Sequence, residues 1–339
     1  MKITDRKYLN VDTKTCHAST SVHYKGKTIF AWFGGEREGL VDSAIYIQFG
    51  DESSSGVYHI GTDKAMARWN PILFTHDDRL YIFIKAGDFC DRWQTFLYDI
   101  TEMESGVASP MQFVPAGLNG PVKTKPIFDE KTGLIYCGSS VETRFDWTSY
   151  IEVYKFEGDL LKPVYRTLPL IAPKNTYTQG FGTRQRQSAG IIQPSLWIDN
   201  NREIHAFFRS STGLDKLYYS SSGLMEDEYD ISSFCWSDPE PIDHIENPNS
   251  GVDTIFYDGR LFLIYNPDPI NRKPLTLAEL DPEDGFTIKD EIIITDKVPL
   301  DEPTHSKELS YPYMIEKDGT ITLTYTYGRT KIEYVRIKI

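Results

Sequence analysis

The sequence predicts an all-β protein: a six-bladed β-propeller with blades of about four antiparallel strands, formed by residues 1–339 as a single domain. Three observations carry this expectation. A short strand, a polar turn and a second aromatic-rich strand recur six times; the copies are nearly evenly spaced; and capped segments of helical period are almost absent. The copies read SVHYKGKTIFAWF (21–33), NPILFTHDDRLYIFIK (70–85), KPIFDEKTGLIYCGSS (125–140), QPSLWIDNNREIHAFFRS (193–210), SGVDTIFYDGRLFLIYN (250–266) and YPYMIEKDGTITLTYT (311–326). Five carry Pro, or a residue in its slot, at a matched place: Pro71, Pro126, Pro194, Val252 and Pro312, spaced by 55, 68, 58 and 60 residues. Ser19 fills the first slot, 52 residues before Pro71.

Each copy turns on a polar segment such as DDR, EKTG, DNNR, DGR or KDG, which suits a tight hairpin. One or two further strand candidates follow, among them SAIYIQFG, WQTFLYDI, SYIEVYKF, KLYYSSSG and PLTLAEL. Several antiparallel strands per repeat, six times over, is the pattern of a propeller. The last copy ends in KIEYVRIKI one strand short. The N-terminal segment KITDRKYLNV can supply that strand, closing the last blade and leaving no long open sheet edge.

Length alone, at about 150 residues per domain, favours two domains; six matched spacings favour one ring instead. Aromatics make up 13% of the chain (6 Trp, 21 Tyr, 18 Phe), and period-two aromatics in propellers pack blade against blade. A net charge of −13 argues against a general nucleic-acid or anionic-membrane partner, because phosphates need a basic face. It leaves room for a small basic pocket. No run of 18 apolar residues occurs, so no membrane span is expected. The N-terminus MKITDRKYLNV lacks a signal-peptide pattern, so a cytoplasmic location is expected. Cys16, Cys90, Cys137 and Cys235 form no CxxC pair and read as reduced, mostly buried thiols. No cofactor is expected: the histidines do not cluster with cysteines at ligand spacing, and no Asp-x-Asp-x-Asp-Gly loop occurs.

In a propeller the first strand of each blade lines the central channel. Polar residues at matched first-strand positions are therefore site candidates: His17 and Ser19, Asn70, Lys125, Gln193, Asn249 with Ser250 and Asp253, and Ser310 with Tyr311. The second-strand ends add the loop from Gly34 to Gly39, Lys85, Ser139, Ser140, Glu142, Arg209, Asn266, Tyr325 and Tyr327.

The strings CHASTSV, AWFGGEREGLVDSAIYI, RWNPILF, GPVKTKPI, IIQPSLW, NPNSGVD, IYNPDPINRKPL and ELSYPYMIEKDGTITLTYT, spread over residues 16–326, resemble the sialidase (neuraminidase) superfamily, in its branch with bacterial-neuraminidase-type repeats. SSSG (220–223) with CWSDP, and DPEDGFTI (281–288), look like remnants of that superfamily's Asp-box. The resemblance implies a six-bladed propeller and a pocket in which three arginines hold the substrate carboxylate. It also implies an aspartate as acid/base and a tyrosine nucleophile activated by a glutamate. By position, Tyr311 matches the tyrosine, Arg209 and Arg272 match carboxylate-binding arginines, and Arg37 and Asp42 match the arginine and aspartate of the first blade. Two positions depart from the family pattern. His17 stands where an arginine is expected, and Gln193 where the activating glutamate would be. An amide cannot take a proton from a phenol of pKa about 10.

Hydrolysis of a glycoside needs a proton donor at the leaving oxygen and a nucleophile or base-activated water. Asp42 and Glu38 are the candidate acids, Asp253 and Glu308 their candidate partners, and Tyr311 and His17 complete the catalytic candidates. Arg37, Arg209, Arg272, Asn70, Lys125, Gln193, Asn249 and Asp253 are the substrate-binding candidates. Lys85 and Lys123 add positive charge, and Trp32, Trp69, Trp93 and Trp147 are candidate stacking faces for sugars. The expected partner is an oligosaccharide or glycoside carrying an acidic or otherwise decorated sugar. Two other functions fit the same residues: a lyase on a uronate, with His17 and Tyr311 or Tyr265 as base and acid, and a carbohydrate-binding propeller without catalysis.

Overall fold

Two-residue turns with paired positive φ set the local architecture. Lys25-Gly26, Asp77-Asp78, Asp258-Gly259 and Asp318-Gly319 all hold both residues at positive φ, from 45° to 78°. Such turns twist in the sense that antiparallel strands require. The computed structural model describes residues 1–62, 65–143, 146–173, 189–298 and 307–339; among these, the only helical elements are three-residue 3-10 turns.

β1 (Lys2–Tyr8) opens the chain. β2 (Thr15–Tyr24), β3 (Lys27–Gly35), β4 (Ala44–Phe49) and β5 (Val57–Ile60) form one antiparallel sheet in that order. β6 (Arg68–His76), β7 (Arg79–Ala86), β8 (Gln94–Asp99) and β9 (Ser109–Phe113) form another. β10 (Ile127–Asp129), β11 (Leu134–Glu142), β12 (Asp146–Glu157) and β13 (Leu160–Arg166) pair in turn, as do β14 (Ala189–Ile198), β15 (Glu203–Ser210), β16 (Lys216–Gly223) and β17 (Glu240–Glu246). A short parallel contact, Asp146 with Ala189 and Trp147 with Gly190, joins those two groups into one eight-stranded sheet. β18 (Asp253–Tyr257), β19 (Arg260–Tyr265), β20 (Leu275–Asp281) and β21 (Thr287–Thr295) follow, and then β22 (Leu309–Lys317), β23 (Thr320–Tyr327) and β24 (Lys331–Lys338). β1 completes the last sheet as expected, running antiparallel to β24 with Lys2 opposite Lys338 and Tyr8 opposite Glu333. Its burial alternates residue by residue, as befits an edge strand with one face in water.

The chain divides into two compact units. One comprises Met1–Val114, Lys273–Leu275 and Ile292–Ile339; the other comprises Pro115–Arg272 and Thr276–Glu291. In each, a second strand feeds two cores at once. Alternate residues of β3 point to opposite faces, so Ile29, Ala31 and Phe33 join a cluster with Leu73 and Ile82, while Phe30 and Trp32 join Ile332 and Tyr334. In the other unit Ile204, Ala206 and Phe208 of β15 pack with Tyr136 and Ile151, while Phe207 packs with Trp197 and Leu263. Burial on both faces explains why these strands read as unbroken apolar runs. Trp32 is fully buried and stacked on Tyr46, so it offers no face to a sugar. Of the four cysteines, only Cys16 and Cys137 are buried. Cys90 and Cys235 are exposed because they lie in the β7–β8 and β16–β17 connections and not within strands.

Gly138 of β11 marks a close backbone approach. A Cβ placed there would stand 2.2 Å from the Pro194 carbonyl oxygen of β14. Because the obstacle is backbone, Gly138→Ala is expected to cost about 3 kcal/mol as an overpacked site. Urea unfolding would read this as a lower midpoint, and an unchanged midpoint would show that the approach is not required.

Candidate functional sites in the two units

The Pro slots read in the sequence coincide with a backbone device. In β2, β6, β14 and β22 the ladder gains one extra residue: His17 pairs with Phe33 but Thr20 with Ala31, and the same three-against-two step separates Trp69 from Ile72, Ile192 from Ser195 and Ser310 from Tyr313. The residue just before each slot takes positive φ: Ala18 at 52°, Asn70 at 40°, Gln193 at 54° and Tyr311 at 52°. Such a bulge interrupts the alternation of side chains and re-aims them. Proline is tolerated in the slot because a bulge residue leaves the hydrogen-bond ladder. β10 and β18 start one residue after their slots, and their positive-φ residues are Lys123 (73°) and Asn249 (56°), three positions before them. Non-glycine residues held at positive φ cost roughly 1–3 kcal/mol each and gather at ligand sites. Five of these six carry polar side chains.

In the unit containing Pro115–Arg272, four cations gather at those bends. Arg209, paired with Ile192 across the β14–β15 ladder, is 6% exposed. Its Nε and Nη2 donate to Asn249 Oδ1 at 2.9 and 2.7 Å, and its Nη1 donates to Gln193 Oε1 at 3.1 Å. The Trp147 ring lies 5.2 Å from its guanidinium carbon, within cation–π range. Arg272 Nη2 donates to the Asn249 carbonyl at 2.7 Å, so Asn249 links both arginines. Lys125 forms an ion pair with the fully buried Asp253 at 2.7 Å, and Asp253 also accepts from Ser195 Oγ at 3.0 Å. Lys123 is 3% exposed and donates to the Val252 carbonyl at 2.5 Å. Burial pushes its ammonium down to about 7; Lys125 and Arg209 add to the depression and Asp253 opposes it. Gly251 fits this cluster because a Cβ there would meet Gln193 Oε1 at 3.1 Å and Lys123 Cε at 3.2 Å.

The other unit carries a cavity of about 560 Å³ lined by His17, Phe33, Arg37, Glu38, Trp69 and Arg329, with Thr15 and Cys16. The His17 imidazole is buried, sits 2.9 Å from Thr326 Oγ1 through Nδ1, and packs 4.2 Å from the Tyr311 ring. Glu38 forms an ion pair with Arg329, whose Nε donates to Glu308 Oε1 at 2.6 Å; Ser310 Oγ donates to the same oxygen at 2.9 Å. Asp42 lies outside the cavity lining: its Oδ2 accepts the Glu36 amide at 2.7 Å and closes the loop after β3. Arg37 is exposed on that loop. Asn70 is buried at its bulge, and Lys85 is buried and donates to Thr95 Oγ1 at 2.8 Å. Trp69 packs on Phe33 and Trp93, with centroids 5.8 and 5.6 Å away. Tyr265, in the unit containing Pro115–Arg272, packs within the apolar cluster that includes Trp197 and Leu263.

The sequence-predicted residues thus fall into two groups. Arg209, Arg272, Gln193, Asn249, Lys125 and Asp253 are joined in one unit. His17, Tyr311, Arg37 and Glu38 gather in the other, with Asp42 closing its loop and Asn70 at a bulge. Arg329 was not foreseen: it sits in the β23–β24 turn, where an arginine ordinarily faces water, and its local string YGRT carries no distinguishing spacing.

Solved structures similar to this chain include a sialidase and an arabinanase. Trypanosoma rangeli sialidase superposes with a TM-score of 0.62 at 10% identity, over 96% of this chain and 55% of that one. The same enzyme in complex with sialic acid gives 0.61 at 10% identity, over 96% and 54%. Penicillium chrysogenum α-L-arabinanase complexed with arabinobiose gives 0.58 at 11% identity, over 98% and 94%. The chain spans about half the length of the trypanosome sialidase, and at these identities the likeness shows the fold. No curated protein matches the chain. The family model of the BNR repeat-like domain matches residues 26–323, and the chain belongs to that family, within the sialidase-like BNR-repeat superfamily.

Proposed function

We propose that the protein is an exo-acting, sialidase-like glycoside hydrolase on an acidic or otherwise decorated sugar, built as a six-bladed propeller from the six four-stranded groups. The observation that carries this reading is the gathering of Arg209, Arg272, Lys123 and Lys125 at the bent strand ends, where Arg209 and Arg272 are both tied to Asn249. An amide orients a guanidinium without cancelling its charge, so Gln193 in place of a glutamate suits an anionic ligand better than an ionised carboxylate would. A local basic site within an acidic protein draws such a ligand by its near field. The family membership and the sialic acid and arabinobiose complexes among similar structures support a sugar as that ligand.

In this reading Arg209 and Arg272 bind the sugar's acidic group, with Gln193, Asn249, Lys125 and Asp253 of the same unit placing the remaining polar groups. The catalytic candidates of the other unit are Glu38, Tyr311 and His17, with Tyr311 in contact with His17. Purified protein tested on sialosides, uronides and deoxy-sugar glycosides should release reducing sugar from at least one; release from none, together with calorimetric binding, would assign a binding propeller instead.

The contact of His17 with Tyr311 favours lyase chemistry as the second reading. His17 would take the proton α to a uronate carboxylate and Tyr311 would protonate the departing oxygen, as the C–O bond breaks and a C=C bond forms. The unsaturated product absorbs in the ultraviolet, whereas a hydrolase product does not.

Two variants probe the basic cluster. Arg209→Lys keeps the charge but loses the planar fork, so affinity for an acidic sugar is expected to fall roughly 10- to 100-fold, measured by calorimetry. Lys123→Met tests the buried ammonium. Its folded pKa of about 7 lies below the ordinary lysine value of 10.5, so between those values the unfolded chain binds more protons and stability rises with pH. The parent should therefore gain stability relative to Lys123→Met from about pH 7 to 10, read from urea midpoints; parallel pH profiles would contradict it.

A further inference from the structure

At the β14–β15 turn, the unit containing Pro115–Arg272 has a cavity of about 520 Å³. Trp197 and His205 are cross-strand partners, and the Asp199 amide donates to the Glu203 carbonyl at 3.0 Å. Period-two alternation therefore puts Asp199, Glu203 and His205 on one face of the hairpin. One ligand atom from each lies within 4.8 Å of the other two.

The imidazole is held in place from two sides. It stacks on Trp197 with centroids 5.0 Å apart and planes 14° apart, and its Nδ1 lies 2.8 Å from the Tyr219 hydroxyl. Fixing one ring nitrogen in this way is how proteins orient a metal-binding histidine. The other nitrogen, Nε2, faces Asp199 Oδ2 at 3.6 Å, which is beyond hydrogen-bond reach. Two donor atoms about 2.1 Å from a tetrahedral zinc ion stand roughly 3.4 Å apart, so this gap matches a shared cation. The Asp199 carboxylate is itself pinned: Oδ1 accepts the Asn201 and Glu203 amides at 2.9 and 2.8 Å, and the Asn201 side chain reaches Oδ2 at 3.3 Å. Asp199, Glu203, Asp281 and Glu283 line the cavity against one cation, Lys289, which pairs with Asp281 at 2.9 Å. The field inside favours a cation.

We propose that Asp199, Glu203 and His205 bind one divalent transition-metal ion of the zinc class, clamping the β14–β15 turn. Imidazole with carboxylates suits zinc better than calcium or magnesium, which prefer all-oxygen shells. Three protein ligands leave a fourth position for water. Because the ion binds this folded turn, it raises the stability of the unit through mass action.

The test uses the full chain after chelator treatment. Calorimetric titration with zinc should show one equivalent bound, with a higher melting temperature, and cobalt(II) should give the visible absorption of a four-coordinate site. Glu203 is exposed, so Glu203→Gln keeps the fold, checked by circular dichroism, and should weaken zinc binding roughly tenfold or more; His205→Gln should abolish the cobalt spectrum. Absence of saturable zinc binding, or binding of parental strength in Glu203→Gln, would overturn the proposal even if His205→Gln failed to fold.

Discussion

A β-strand sends successive side chains to opposite faces, and a strand buried on both faces has no place for a polar group unless that alternation is broken. Four first strands of this protein break it at the same point, with one extra residue and a positive φ at Ala18, Asn70, Gln193 and Tyr311. The remaining two bend three residues before the slot, at Lys123 and Asn249. The polar chemistry of both units hangs on these bends. Gln193 and Asn249 hold Arg209, Lys123 is buried beside Asp253 and Lys125, and Tyr311 meets His17. The local strain is sustained by cores that over-determine it: Ile29, Ala31 and Phe33 on one side of β3, and Phe30 and Trp32 on the other.

Charge is arranged by the same logic. Burying a cation is expensive unless polar partners replace water. Arg209 receives amide oxygens and an indole face, Lys125 receives Asp253, and Lys123 receives a backbone carbonyl, its burial pushing the ammonium down to about 7. Arg329 receives two carboxylates, Glu38 and Glu308, and so knits the loop after β3 to the start of β22. Arg209 and Arg329 are thus held by different groups: amide oxygens orient one guanidinium, and carboxylates tie the other into its unit.

Much of the architecture was legible from the chain. Pro71, Pro194 and Pro312 coincided with bulges because proline cannot serve the ladder and a bulge does not ask it to. Asp-Asp and Asp-Gly pairs marked hairpins because they tolerate positive φ, and the orphan segment KITDRKYLNV paired with β24 because the last copy lacked a strand. The candidate site was legible in part: residue type at matched positions picked out Arg209, Gln193 and Asn249, and the family resemblance added Arg272. Burial was less so: Trp32 read as a sugar-stacking candidate but lies fully inside, and Cys90 and Cys235 read as buried but are exposed.

The sequence by itself determined the strand content, the repeat length, the turn positions and the set of polar residues at the strand ends, because these depend on backbone preference and period, which are local. Only the tertiary structure decided which of those residues meet. Asn249 spans 40 residues to reach Arg209, Arg329 spans 291 to reach Glu38, and Asp199, Glu203 and His205 share one face only once their hairpin closes. Such meetings are set by how sheets stack, and stacking depends on the summed burial of many apolar residues, which no short stretch of sequence contains.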